Sequence, residues 1–124
     1  MSSQEPIMQR HNTINYIEFP VKDLPKAKRF FSQVFGWTFV DFGPEYCSIS
    51  NASIDAGFFQ SDKTMSTESG SALIVIYSDN LDKTQEKIVG AGGKIVKPIF
   101  SFPGGRRFHF CDSNNNEFAV WCDK

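Results

Sequence analysis

Residues 14–36 read INYIEFPVKDLPKAKRFFSQVFG, and a change of hydrophobic period inside that stretch decides the fold. From Ile14 to Val21 the set Ile17, Phe19 and Val21 alternates with Tyr16, Glu18 and Pro20, which is the period of a strand. After Asp23 the apolar positions become Leu24, Ala27, Phe30, Phe31, Val34 and Phe35, the three-and-four spacing of one helix face. Asp23 is a good N-cap and Gly36 a good helix stop, so a strand runs almost directly into an amphipathic helix.

Working outward, three short strands are expected at 37–41, 46–50 and 54–59, with turns at Gly43-Pro44 and around Asn51. Residues 61–70, SDKTMSTESG, hold one apolar side chain and read as a linker. The same order then returns. Ala72–Tyr77 is a strand, Asn80 caps a helix carrying Leu81, Thr84, Ile88 and Ala91, and Gly92-Gly93 ends it. Strands follow at 94–97, 107–111 and 117–121. A shift of 57 positions aligns Asp23 with Asn80, Leu24 with Leu81, Lys26 with Lys83, Phe31 with Ile88, Gly36 with Gly93 and Phe39 with Val96. The expected fold class is α+β: two βαβββ modules in tandem, about 13–60 and 71–122, within one domain spanning 13–124. Helices lie outside a half-open, eight-stranded, barrel-like sheet.

Composition narrows the function. The 124 residues suit a single domain. Thirteen basic and fourteen acidic residues leave a net charge of −1 without charge blocks, which argues against nucleic acid or a membrane as partner. The polar stretch MSSQEPIMQRHN, residues 1–12, lacks a hydrophobic signal core and is expected to be a flexible tail. Cys47, Cys111 and Cys122 have no metal-finger spacing and read as free thiols in a reducing, cytoplasmic setting. Thirteen phenylalanines point to an aromatic core or pocket.

The repeat, with Val21-Lys22-Asp23-Leu24 opening its first helix and D-x-x-x-N-E-x-A-V-W at 112–121 closing it, resembles the vicinal oxygen chelate superfamily of glyoxalase-type lyases, bleomycin-resistance proteins and extradiol dioxygenases. The turn there, commonly D-P-D-G-N, is Asp112-Ser113-Asn114-Asn115-Asn116 in this chain. Asparagine is the residue after glycine best suited to positive φ. The resemblance implies a ligand cavity on the faces opposite the helices, and a homodimer. It also implies where metal-using members place His or Glu donors: at positions matching Tyr16, Gly57, Leu73 and Ala119. None of these is a strong divalent ligand. No metal and no cofactor are therefore expected.

Strand parity assigns the faces. Ile17, Phe19, Val21, Ile74, Ile76, Phe108, Phe110, Phe118 and Val120 should pack under the helices. The opposite set supplies the candidate ligand-binding residues Tyr16, Glu18, Leu73, Val75, Tyr77, Arg107, His109 and Trp121, with Ala119 among them leaving space. Arg107 fits either a clamp for a carboxylate or phosphate or an ion pair with Glu18 across the cavity. His109 fits an anion ligand, a general base or a hydrogen bond to a neighbouring strand. Glu18 suits a charge partner of Arg107 better than a base. Tyr16, Tyr77 and Trp121 form an aromatic wall or a plug, and Cys111 is a small filler. The segment Pro98–Gly105 is read as a loop, with Phe100 and Phe102 on a flap or a dimer contact.

These readings lead to a metal-independent binder of a small aromatic or amphipathic molecule bearing a polar or anionic group. The alternatives are a metal-dependent lyase or dioxygenase with a relocated site, such as Glu18 with His109, and an interaction module with a filled cavity.

Overall fold

The computed structural model describes residues 9–124; residues 1–8 of the expected tail lie outside them. Strand β1 (Tyr16–Val21) alternates as its sequence requires and carries Pro20 on a sheet edge, where a missing N–H breaks no ladder. Helix α1 (Leu24–Phe35) starts at Asp23, whose carboxylate accepts from the Lys26 N–H at 3.0 Å, and stops at Gly36, left-handed at φ 72°. Strands β2 (Phe39–Asp41), β3 (Tyr46–Ile49) and β4 (Asp55–Gln60) complete the first module. The second repeats it: β5 (Ile74–Tyr77), α2 (Leu81–Gly90) capped by Asn80, β6 (Lys94–Phe102), β7 (Gly105–Cys111) and β8 (Glu117–Cys122).

Each module is a four-stranded mixed sheet, ordered β1-β4-β3-β2 and β5-β8-β7-β6, with one parallel pair (β1 with β4, β5 with β8). The sheets do not close into a barrel, so the eight strands stay half-open. Trp37, expected on a strand, instead stacks on Phe31 at 4.8 Å between ring centroids and is buried. The larger departure is at 98–102. This segment is strand, not loop: β6 runs on to Phe102, and Ser101 and Phe102 pair with Arg106 and Gly105. Two register shifts flank Lys97, and the second spans Pro98, which places the proline where the ladder needs no donor.

The core forms where the helix-side faces meet. Phe19 of the first sheet touches Phe118 of the second at 5.6 Å, while Phe30 and Phe31 of α1 reach Phe110 and Phe118. Burying a phenylalanine of this kind contributes roughly 1.5–3 kcal/mol. Because Phe19 and Phe118 point at one another, their strand neighbours Glu18 and Ala119 point in opposite directions. The two remaining faces therefore look away from each other. Among the described residues, Tyr16 and Glu18 therefore lie on one open face and Arg107 and Trp121 on the other.

The β7–β8 turn joins the modules. Asp112 Oδ1 accepts from the Asn114 and Asn116 N–H groups at 2.9 and 2.8 Å, and Asn115 takes φ 70°. Asn114 Oδ1 caps the Lys22 and Asp23 N–H groups at 3.1 and 2.8 Å. Asn116, fully buried, donates to the Pro20 carbonyl at 2.7 Å and accepts from the Met65 N–H at 2.7 Å. The connecting segment 61–70 is thereby bound along the start of β8. Among the described residues no helix is long and apolar enough to cross a membrane.

Candidate ligand-binding site

On the open face of the second sheet, β7 and β8 set Arg107 opposite Trp121 and His109 opposite Ala119. The imidazole of His109 runs diagonally past Ala119 to Glu117, where Nδ1 and Oε2 are 2.9 Å apart. Its other nitrogen, Nε2, lies 2.9 Å from Arg107 Nη2. Glu117 also accepts the Thr67 backbone N–H at 2.7 Å and the Thr67 hydroxyl at 3.0 Å. Burial pushes the Glu117 carboxyl up, but the bonds from His109 and Thr67 outweigh it and hold the group below the ordinary carboxylate range. His109 is 8% and Glu117 9% exposed. Phe100, delivered by the extended β6, sits 6.2 Å from the imidazole and 5.7 Å from the Arg107 guanidinium carbon. Arg107 Nε is buried with no acceptor. An unpaired buried donor on a cation is costly unless something else satisfies it.

The first sheet's open face is different. Tyr46 donates to Glu18 Oε2 at 3.1 Å and its hydroxyl also meets that of Tyr16. Burial, then the bonds to Tyr16 and Glu18, push the Tyr46 phenol above its ordinary range. Gly57 lies beneath: a Cβ there would run into the Tyr46 and Tyr16 hydroxyls. The expected Glu18–Arg107 ion pair is therefore absent. Glu18 is satisfied by Tyr46 and Arg107 faces His109, because the two residues lie on faces that diverge.

Val75 and Tyr77 pair with Ala119 and Trp121 and so share the open face of the second sheet; with Leu73 they also line an open cleft of about 1110 Å³ between the modules that takes in Ile17, Trp37 and Ile54. Tyr77 packs edge-on against Trp121 at 5.2 Å and donates to Asp123 at 2.7 Å. The sequence-derived set thus divides into Arg107, His109, Trp121, Val75 and Tyr77 on the open face of the second sheet, Tyr16 and Glu18 on that of the first, and Leu73 in the cleft. Glu117, Phe100, Tyr46 and Thr67 were not in it. Glu117 shares the parity of Ala119 and Trp121, so strand period alone would have found it; nothing in the sequence marks Thr67.

A metal site of the family's usual kind does not fit. Gly57 has no room for a side chain, Ala119 is fully buried, Leu73 offers no donor and the Tyr16 hydroxyl is engaged by Tyr46. Among the described residues no group of three His, Cys, Asp or Glu side chains could hold an ion. Cys111 remains a filler: burial, then the charges of Asp112 and Glu117, push its thiol up, which disfavours the thiolate.

Paired βαβββ modules with divergent open faces define a class, and the comparisons agree with it. The chain belongs to the Glyoxalase/Bleomycin resistance protein/Dioxygenase superfamily, whose model matches residues 13–120. A glyoxalase-related enzyme from Fulvimarina pelagi superposes with a TM-score of 0.74 at 18% identity, over 90% of this chain and 88% of that one. A glyoxalase/bleomycin resistance protein/dioxygenase family enzyme from Burkholderia phytofirmans PsJN gives 0.75 at 16%, over 89% and 98%. The fosfomycin resistance protein FosX from Listeria monocytogenes, complexed with Mn(II) and sulfate, gives 0.76 at 19%, over 93% of each. No curated protein matches the chain.

Proposed function

We propose that this protein is a metal-independent binder of a small aromatic or amphipathic molecule carrying an anionic group. One observation carries the reading: Arg107 stands on an open sheet face between Phe100 and Trp121, held only by an imidazole nitrogen and with Nε unpaired. A guanidinium in that state gains charge-assisted hydrogen bonds from a carboxylate, sulfonate or phosphonate, while the aromatic neighbours suit the body of the ligand. The absence of donor side chains at the family's metal positions supports binding without an ion.

A homodimer belongs to the same proposal. Tyr16, Val75, Tyr77 and Val96 are 42–50% exposed, and a second copy laid against the open faces would cover this surface. It would also bring the Tyr16–Tyr46–Glu18 face of one copy over Arg107 of the other, restoring a two-sided cavity. Free Cys47, Cys111 and Cys122 support a cytoplasmic setting.

Protein purified without added metal should show no stoichiometric iron, nickel, zinc or manganese by elemental analysis. It should be stabilised in a thermal-shift panel by aromatic anions and not by divalent metals. Stoichiometric metal would overturn the reading. Light scattering should give twice the chain mass, and a monomer would remove the two-sided cavity.

A further inference from the structure

The row on the second sheet also constrains where a proton can sit. Guanidinium nitrogens only donate, so the Arg107 Nη2 contact requires a lone pair at His109 Nε2 and hence a neutral ring. The one ring proton is then on Nδ1, donated to Glu117 Oε2. Glu117 cannot swing away, because the Thr67 N–H and hydroxyl hold its other oxygen. A neutral imidazole buttressed by a fixed carboxylate is set to accept a proton at its far nitrogen, and Arg107 occupies that nitrogen.

We infer that Arg107, His109 and Glu117 form a proton-linked anion clamp. An arriving anion draws the guanidinium off His109, and His109 then takes a proton from solvent at the vacated Nε2. The resulting imidazolium lies between Glu117 and the anion. The balance is simple: one anionic charge enters from the ligand, one proton enters from water, one N–H bond forms and nothing is oxidised. The rearrangement gives the guanidinium a charged acceptor in place of a neutral one. This rests on the binding function proposed above and adds the charge state in which the ligand is held.

The other groups around His109 do not compete for that proton. Lys97, its partner across β6, is a cation whose Nζ lies over Phe100 at 4.7 Å. Cys111 on β7 has its thiol pushed up by burial. From β8 only Glu117 faces the ring with a charge, and from segment 61–70 only the neutral Thr67 joins the row. The ligand class is a monoanion on an aromatic body, a carboxylate or a sulfonate, seated by Phe100 and Trp121.

Calorimetric titration of the full chain with benzoate and benzenesulfonate tests this, since both probes stay anionic between about pH 5.5 and 8.5. Buffers of different ionisation enthalpy report the protons taken up. Above the imidazole range we expect uptake of about one proton per ligand and an affinity falling about tenfold per pH unit. His109→Gln keeps a donor for Glu117 and an acceptor for Arg107 but cannot take up a proton; its affinity should be weak and flat with pH. Wild-type binding that is flat with pH and independent of buffer would overturn the clamp and leave the binding function standing. Failure of both probes to bind at any pH would overturn both. The buffer comparison on the wild type decides the matter even if the variant does not fold.

Discussion

The two modules follow one plan and differ in what each contributes. Helix α1 buries Leu24, Ala27, Phe30, Phe31 and Val34, whereas α2 buries Leu81 and Ile88. On the open faces the contrast reverses. The first module presents Tyr16, Tyr46 and Glu18, which satisfy one another near solvent. The second presents Arg107, His109 and Glu117, two of them buried and the first with an unpaired nitrogen. The difference teaches that the repeated unit has divided its roles: the first module supplies most of the core, the second the polar site.

The comparison is most sharply tested at Phe31 and Ile88, which correspond under the 57-residue shift. Phe31 contacts the rings of Trp37, Phe58 and Phe118. Phe31→Ala should cost about 3–5 kcal/mol in denaturant unfolding, and Ile88→Val only about 0.5–1.5. Equal losses would show that the core is shared evenly.

The turns come next. In the first module Asn51, a neutral amide, accepts from the Thr38 N–H and donates to the Gly36 carbonyl. In the second, burial pushes the Asp112 carboxyl up to about 6, against the N–H bonds of Asn114 and Asn116 that lower it. An unfolded aspartate titrates near 3.9, so between about pH 4 and 6 the folded chain keeps a proton the unfolded chain has lost. Stability should therefore fall as pH rises through that window, by on the order of 3 kcal/mol, and then level. Chemical denaturation as a function of pH checks this; Asp112→Asn should abolish the slope.

At the site, Arg107→Ala should weaken benzoate binding by about 1.5–3 kcal/mol, the range for a charged hydrogen bond, while the thermal melt barely moves. Glu18→Gln, on the other module, should weaken it far less. If Glu18→Gln matters as much as Arg107→Ala, the two faces share the ligand's charge equally. The smallest effect belongs to Tyr46→Phe. It removes the hydroxyl that links Tyr16 and Glu18 on a half-open surface, and should change stability by no more than about 0.5 kcal/mol, measured by thermal denaturation.

Much of the fold was legible in the chain because its signals are local. Period-two alternation placed Phe19, Phe108, Phe110 and Phe118 in the core, and Asp23, Asn80 and Gly36 mark helix ends through bonds spanning a few residues. The site was legible only in part. Parity put Arg107 and His109 on the face away from Phe108 and Phe110, while Glu117, of the same parity as Ala119 and Trp121, was not among the residues it assigned. Pro98 and Gly104 read as breakers, yet β7 holds β6 in register on both sides of a bulge and so brings Phe100 to the polar row.

Which faces meet was beyond any local pattern. Alternation says that Glu18 and Ala119 lie opposite Phe19 and Phe118; it does not say whether two sheets join through their polar or their apolar sides. That outcome was decided by the packing of Phe19, Phe30 and Phe31 against Phe110 and Phe118, contacts between residues some 80 to 100 positions apart. Residue identities alone set the strand and helix periods of β1 and α1, the helix caps and the lack of donor side chains at Gly57, Leu73 and Ala119. Tertiary structure alone turned the two open faces apart, joined Arg107 to His109 rather than Glu18, and brought Thr67 to Glu117, because burial energy is gained only when distant segments meet.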